Sequence, residues 1–202
     1  MNENHAALCP SPEWAAHMQT EVLPSLVAGV DLGDEMLEVG PGPGAATDWL
    51  RQRVGLLAAL ELDPEAASRL SERFHRTNVE VIVGDASAMT FASATFDSVG
   101  SFTMLHHVPT VSLQDKVIGE MFRVLRPGGV LIGSDSLASN DLHHFHVGDT
   151  YNPIEPSSLL TRLQTIGFHR ITVIVDDIVK FVAYKPSPLG PAKSIEGGVS
   201  TS

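Results

Sequence analysis

One stretch constrains this chain more than any other: Met36-Leu37-Glu38-Val39, then Gly40-Pro41-Gly42-Pro43-Gly44, then Ala45-Ala46-Thr47-Asp48-Trp49-Leu50. A short apolar run carrying an acid leads into three glycines at alternate positions, and a helical pattern follows. Strand, glycine turn and helix in that order form the unit with which α/β proteins hold nucleotide-like ligands. Glycine there reaches backbone angles closed to other residues and lets a ligand approach the main chain.

The rest of the chain repeats the alternation. Upstream, Ser11-Pro12-Glu13 is a helix start, with Trp14, Met18 and Val22 on one face and Pro24 expected to break or kink the helix. Downstream, the spacing predicts a helix over about 45–54 and a doubly buried strand ending in Glu61-Leu62-Asp63. A helix from Pro64 follows, then strands at 79–83 and 96–101. A helix over about 112–125 stops at Arg126-Pro127-Gly128-Gly129, and a fifth strand covers 130–133. Residues 137–156 show no period and are rich in histidine, which marks a long loop. A helix ending at Gly167 precedes two β-rich runs, 168–175 and 178–184, separated only by Asp176-Asp177; this hairpin makes one edge strand antiparallel. Strands alternating with helices give a mainly parallel sheet with right-handed crossovers. One domain over 1–185 is expected, with 1–34 as a helical cap and 186–202 as a flexible tail.

The glycine turn alone fits two ligands. Gly40-x-Gly42-x-x-Ala45 matches a dinucleotide fingerprint. Several features point elsewhere. Glu38 puts negative charge beside the ligand, no Lys or Arg lies between 36 and 50, and Pro41 and Pro43 remove two backbone donors that an anion would use. Glu61 ends the second strand, where a carboxylate takes ribose hydroxyls, and Asp85 ends the third, where one accepts from an adenine amino group. A cationic amino acid, a ribose and an adenine together describe S-adenosylmethionine.

The same residues carry a family resemblance. Leu37 to Gly44, Glu61-Leu62-Asp63-Pro64-Glu65, Gly84-Asp85-Ala86, Phe96-Asp97 through Leu105-His106-His107-Val108, and Glu120 through Gly129 resemble successive motifs of the class I S-adenosylmethionine-dependent methyltransferases, type 11 small-molecule group. The resemblance implies an α/β three-layer Rossmann-like sandwich. Its seven-stranded, mainly parallel sheet would have the order 3-2-1-4-5-7-6, with strand seven antiparallel. It implies Gly40, Gly42 and Gly44 along the methionine moiety beside Glu38, Glu61 at the ribose, Asp85 and Ala86 at the adenine, and Phe102 in the slot after strand four, with Leu62 also among the cofactor-binding residues. That slot reads Phe102-Thr103-Met104-Leu105 and not the Asn-Pro-Pro-Tyr type of the nucleic-acid and amide methyltransferases.

The acceptor end is less defined. His106 and His107 follow strand four; either serves as a base or substrate contact, or the pair caps the loop. His143, His144, His146, Asp149 and Tyr151 crowd the loop after strand five, where a histidine can take a proton during methyl transfer. His107, His146 and Tyr151 are the catalytic candidates. The spacing of the 143–149 cluster is not a known ligand pattern, so no metal site is expected. Cys9 and Trp14 are candidates for a cap over the cofactor.

Composition bounds the partners. The net charge is −11, which argues against a nucleic-acid substrate. A single cysteine allows no internal disulfide and fits a cytoplasmic setting. No run approaches the roughly 18 apolar residues of a membrane span. The expected protein is a monomeric or homodimeric methyltransferase acting at O, N or C of a small molecule. The alternatives are a nicotinamide-dependent oxidoreductase and a non-catalytic protein that binds S-adenosylmethionine.

Overall fold

The computed structural model describes residues 11–187. The irregular start expected over residues 1–10, Cys9 with it, and the tail from 188 onward lie outside the described residues.

The chain opens with α1 (Pro12–His17), a π-helical turn (Met18–Val22) and α2 (Leu23–Val27). Ser11 caps the first helix by accepting the Trp14 N–H. Pro24 does not break this helix as expected. The π turn ahead of it widens the ladder, and the backbone stays helical from Met18 to Leu23. Then come β1 (Glu35–Val39), α3 (Thr47–Leu50), β2 (Leu56–Glu61), α4 (Pro64–Arg73), β3 (Val79–Val83), β4 (Phe96–Phe102), a 3-10 turn (Leu105–His107) and α5 (Val111–Val124). The chain ends through β5 (Leu125–Ser136), α6 (Asn140–Phe145), α7 (Pro156–Ile166), β6 (His169–Val175) and β7 (Ile178–Tyr184).

The seven strands lie in the order β3-β2-β1-β4-β5-β7-β6. The first five run parallel, and β7 is antiparallel to both β5 and β6. The antiparallel strand is therefore not the edge, as the hairpin alone suggested. β7 inserts beside β5 because its alternate residues Val179, Phe181 and Ala183 are buried, while β6 takes the exposed rim. The helix after the glycine turn is also shorter than the predicted 45–54. Asn78 Nδ2 donates to the carbonyls of Arg51 and Val54, ending it early.

Strand alternation divides the core. Leu37, Val39, Leu60, Val99 and Leu131 pack under α5 and α7. Met36, Leu57, Val130 and Ile132 face α1, α2 and α3 on the opposite side. The lower end of the sheet is pinned by Asp97, which accepts the backbone N–H groups of Asp34 and Glu35 and pairs with Arg126 at 2.7 Å. Arg126 also pairs with Glu35. Between Phe96 and Ser98 the β4–β5 register shifts, and Arg126-Pro127-Gly128-Gly129 bulges out to make that pairing. No helix among the described residues is long and apolar enough to cross a membrane.

A candidate active site at the carboxyl ends of the strands

All parallel strands deliver their carboxyl ends to one rim, which is where a ligand binds in such a sheet. A cavity of about 580 Å³ opens there, a size suited to a nucleoside-sized ligand with room to spare.

The turn after β1 forms its floor. Gly40, Gly42 and Gly44 have φ of +68°, +53° and +86°, values that glycine adopts without strain. A Cβ at Gly40 would lie 2.2 Å from Met104 Cγ, so the turn after β4 packs directly on the first glycine. A Cβ at Gly42 would meet no atom within 4 Å: its face is open space.

Three carboxylates end three successive strands and all line the cavity: Glu38, Glu61 and Asp85. Glu61 is oriented by two backbone donors, Gly42 N–H to Oε2 at 3.2 Å and Asp63 N–H to Oε1 at 3.1 Å. Asp85 is exposed and accepts the Ser87 N–H at 2.7 Å. Glu38 is only 2% exposed. Burial pushes its carboxyl up to about 7, against a Thr47 hydroxyl bond that lowers it, while the charges of Asp48 and Glu61 raise it further. Its charge at neutral pH is therefore partial.

Other walls were less legible. Leu62, Ala86 and Phe102 line the cavity; Leu62 is an apolar side chain left 68% exposed there. Trp14 and Met18 bring the N-terminal helix to the same cavity, so Met18 belongs both to the core and to the wall. Thr103, at φ +50°, holds the turn after β4 in a left-handed conformation, with its N–H on the Ser134 carbonyl at 2.7 Å.

At the acceptor end, His107, Asp149 and Thr150 reach the cavity. His106, His146 and Tyr151 stand behind that wall. His106 is buried, with Nδ1 2.6 Å from Asp135 Oδ1. Tyr151 stacks on His146 at 4.4 Å between ring centroids and donates its hydroxyl to the Leu137 carbonyl at 3.2 Å. His143 and His144 are exposed on α6 and do not line the cavity. Of the three catalytic candidates, only His107 is on the wall. Sequence reasoning missed Asp135 and Thr47. Asp135 had a signal: it ends the apolar run of β5 as Glu38 and Glu61 end theirs. Thr47 had none, since its partner is fixed only by how the helix seats on β1.

Comparison with known proteins matches the fold that carries this site. The model of the methyltransferase-domain family fits residues 37–133. Erythromycin 3''-O-methyltransferase of Saccharopolyspora erythraea is 36% identical over 115 residues, 54% of this chain and 36% of that one. A probable ribosomal RNA small subunit methyltransferase A of Methanosarcina acetivorans is 30% identical over 164 residues, 77% of this chain and 57% of that one. The chain thus spans about a third of the first relative's length and just over half of the second's. Among solved structures, Haemonchus contortus phosphoethanolamine N-methyltransferase 2 in complex with S-adenosyl-L-methionine superimposes with a TM-score of 0.71. It is 18% identical and covers 87% of this chain and 56% of that one.

Proposed function

We propose that the chain is a class I S-adenosylmethionine-dependent methyltransferase, that it binds S-adenosylmethionine at the β1–β3 strand ends, and that it methylates a small molecule held beside the 103–109 turn and Asp149-Thr150. The observation that carries this is the charge of the cavity. Among the described residues, Glu38, Glu61, Asp63, Asp85 and Asp149 line it, and no Lys or Arg does. Such a wall rejects a pyrophosphate or a nucleic-acid backbone and suits a cationic nucleoside.

The residues fit that cofactor. Glu38 becomes fully ionised against an ammonium or sulfonium charge. Gly42 presents open space where any other residue would place a Cβ. Glu61 is pre-oriented to accept from two ribose hydroxyls, and Asp85 is exposed to accept from an adenine amino group. Bound S-adenosylmethionine supplies an activated methyl group, so the protein need mainly align the acceptor and exclude water. Trp14, Met18 and Phe102 give the cavity apolar walls for exclusion. His107 is the titratable side chain on the acceptor wall placed to take a proton from a hydroxyl or amine.

The two relatives are named for different acceptors, an antibiotic and a ribosomal RNA. The acidic cavity and the net charge of −11 support the small molecule. The deciding experiment is calorimetry with S-adenosylmethionine and with NADH, followed by detection of S-adenosylhomocysteine with small hydroxyl and amine acceptors and with structured RNA. Binding of the first cofactor alone and turnover with a small acceptor are expected. NADH binding, or turnover with RNA only, overturns the proposal, and no product with any acceptor assigns a non-catalytic role.

A further inference from the structure

The folded chain brings together three histidines that its sequence keeps apart. His106 and His107 lie in the 3-10 turn after β4, and His146 follows α6. Each offers a ring nitrogen, and the three nitrogens lie within 4.8 Å of one another. Ring centroids are 4.0 Å apart for His106–His107, 5.2 Å for His106–His146 and 5.6 Å for His107–His146. The spacing of 143–149 gave no hint of this, because two of the three members come from a different loop.

The rings are oriented as ligands are. His106 Nδ1 sits 2.6 Å from a carboxylate oxygen of Asp135, and His146 Nδ1 sits 2.6 Å from the Leu142 carbonyl. Both partners can only accept, so both Nδ1 atoms carry the hydrogen and the lone pair of each neutral ring is on Nε2. A carboxylate or carbonyl fixing the far nitrogen in this way is the usual outer shell of a metal-bound imidazole. Tyr151 stacked on His146 holds the ring plane.

The two loops are also tied to each other. Asn152 donates its N–H to the His106 carbonyl at 2.7 Å and its side-chain amide to the Val108 carbonyl at 3.0 Å. Gln114, buried, donates to both the Leu105 and Asn152 carbonyls. The two segments that carry the histidines are thus held together before any ligand arrives.

We propose that His106, His107 and His146 form a binding site for a late first-row divalent cation, zinc foremost. Three neutral imidazoles with no carboxylate in the set suit Zn²⁺, Co²⁺, Ni²⁺ or Cu²⁺ and not Mg²⁺ or Ca²⁺. Tetrahedral coordination at about 2.0–2.1 Å sets ligand nitrogens about 3.3 Å apart, reached from the observed cluster by side-chain rotation. Three protein ligands leave one position of a four-coordinate ion to water or to an oxygen of a cavity-bound molecule, since His107 is the member on the cavity wall. The site is built from the chain's own donors and does not depend on the methyl-donor assignment; an ion bound there would take up the His107 lone pair, so the base role proposed for His107 belongs to the metal-free protein.

The test uses the full chain without an affinity tag, stripped by chelator and titrated with Co²⁺ and then Zn²⁺. One equivalent of Co²⁺ should give the visible absorption of a four- or five-coordinate ion, and Zn²⁺ should displace it. His107→Gln and His146→Gln should each weaken binding at least tenfold, and His143→Ala/His144→Ala should leave it intact. His107 is only partly buried, so its variant tests the site even where the buried His146 is needed for folding. Absence of saturable absorption in the wild type, or an unchanged titration in His107→Gln, overturns the proposal. S-adenosylmethionine binding measured on the same stripped and loaded samples reports the methyl-donor assignment separately.

Discussion

Thr47 donates its hydroxyl hydrogen to Glu38 Oε2 at 2.6 Å, joining the first residue of α3 to the penultimate residue of β1 beneath the glycine turn. Both side chains are buried. The bond favours the ionised carboxylate, yet burial outweighs it and the group titrates at about 7. The residue proposed to meet the cationic part of the ligand is therefore a proton switch within the physiological range.

The first prediction concerns affinity. A cation bound beside Glu38 needs the ionised form, so binding expels a proton when the free protein still holds one. Affinity for S-adenosylmethionine should rise from pH 6 to pH 8 and level off above the free-state value, changing by at most about tenfold per unit below it. Calorimetry at pH 7 in buffers of different ionisation enthalpy should register fractional proton release. Glu38→Gln should bind more weakly and show neither effect. A flat profile in the wild type would place the cation away from Glu38.

The same group predicts the stability of the ligand-free protein. Its folded-state pKa, about 7, is raised from the ordinary 4.5. The folded state therefore holds the proton more tightly than the unfolded chain. The associated stability is fully present below pH 4.5 and is lost as pH rises through about 7, an effect on the order of 3 kcal/mol. Denaturant melts of wild type and Glu38→Gln should diverge over that window, with the variant gaining relative stability towards pH 8. Parallel curves would mean that Glu38 is ionised at little cost.

Glu61 is held by the N–H groups of Gly42 and Asp63. Glu61→Ala removes the carboxylate proposed to take the ribose and also the acceptor that fixes the glycine turn. Cofactor affinity should fall at least tenfold, about 1.4 kcal/mol. Titration calorimetry measures this directly, and unchanged affinity would move the ribose elsewhere.

Asp97 sits far from the cavity, and its removal should leave the ligand alone. It accepts two backbone N–H groups ahead of β1 and pairs with Arg126. Asp97→Ala removes the acceptor of two backbone donors and leaves Arg126 with Glu35 alone, so the midpoint in urea should fall by the equivalent of about 1–2 kcal/mol. Cofactor affinity of the folded fraction should stay constant. Loss of affinity without loss of stability would contradict this division.

The sheet was legible because its signals are local. Apolar runs ending in Glu38, Glu61 and Asp85, and helix starts at Pro12, Pro64 and Pro156, are all written within a few residues. The family resemblance supplied the strand order, where the hairpin alone misplaced the antiparallel strand at the edge. Less was legible wherever two distant segments meet. The His106–Asp135 pair, the Thr47–Glu38 bond and the arrival of Trp14 at the cavity depend on how helices seat on the sheet, and no spacing encodes them. The histidine loop shows the limit well. Its composition pointed to chemistry, but which of its rings turn inward follows from the cap of α6 by Ser139 and the tie from Asn152 to His106.

That difference between loop and wall gives the last prediction. The sequence offers both Tyr151 and His107 as catalytic candidates, yet His107 lines the cavity and Tyr151 does not. The Tyr151 hydroxyl is spent on the Leu137 carbonyl, and burial raises the phenol above its ordinary 10, which makes it a poorer proton donor. Tyr151→Phe keeps the ring stacked on His146 and loses one hydrogen bond. Its cost should be about 1 kcal/mol of stability with turnover nearly intact. His107→Ala should instead lower turnover by roughly a hundredfold or more, with the dissociation constant for S-adenosylmethionine almost unchanged, because the strand-end carboxylates proposed to bind it are untouched. Measured side by side, a large loss in Tyr151→Phe and none in His107→Ala would invert the assignment and put the acceptor behind the present wall.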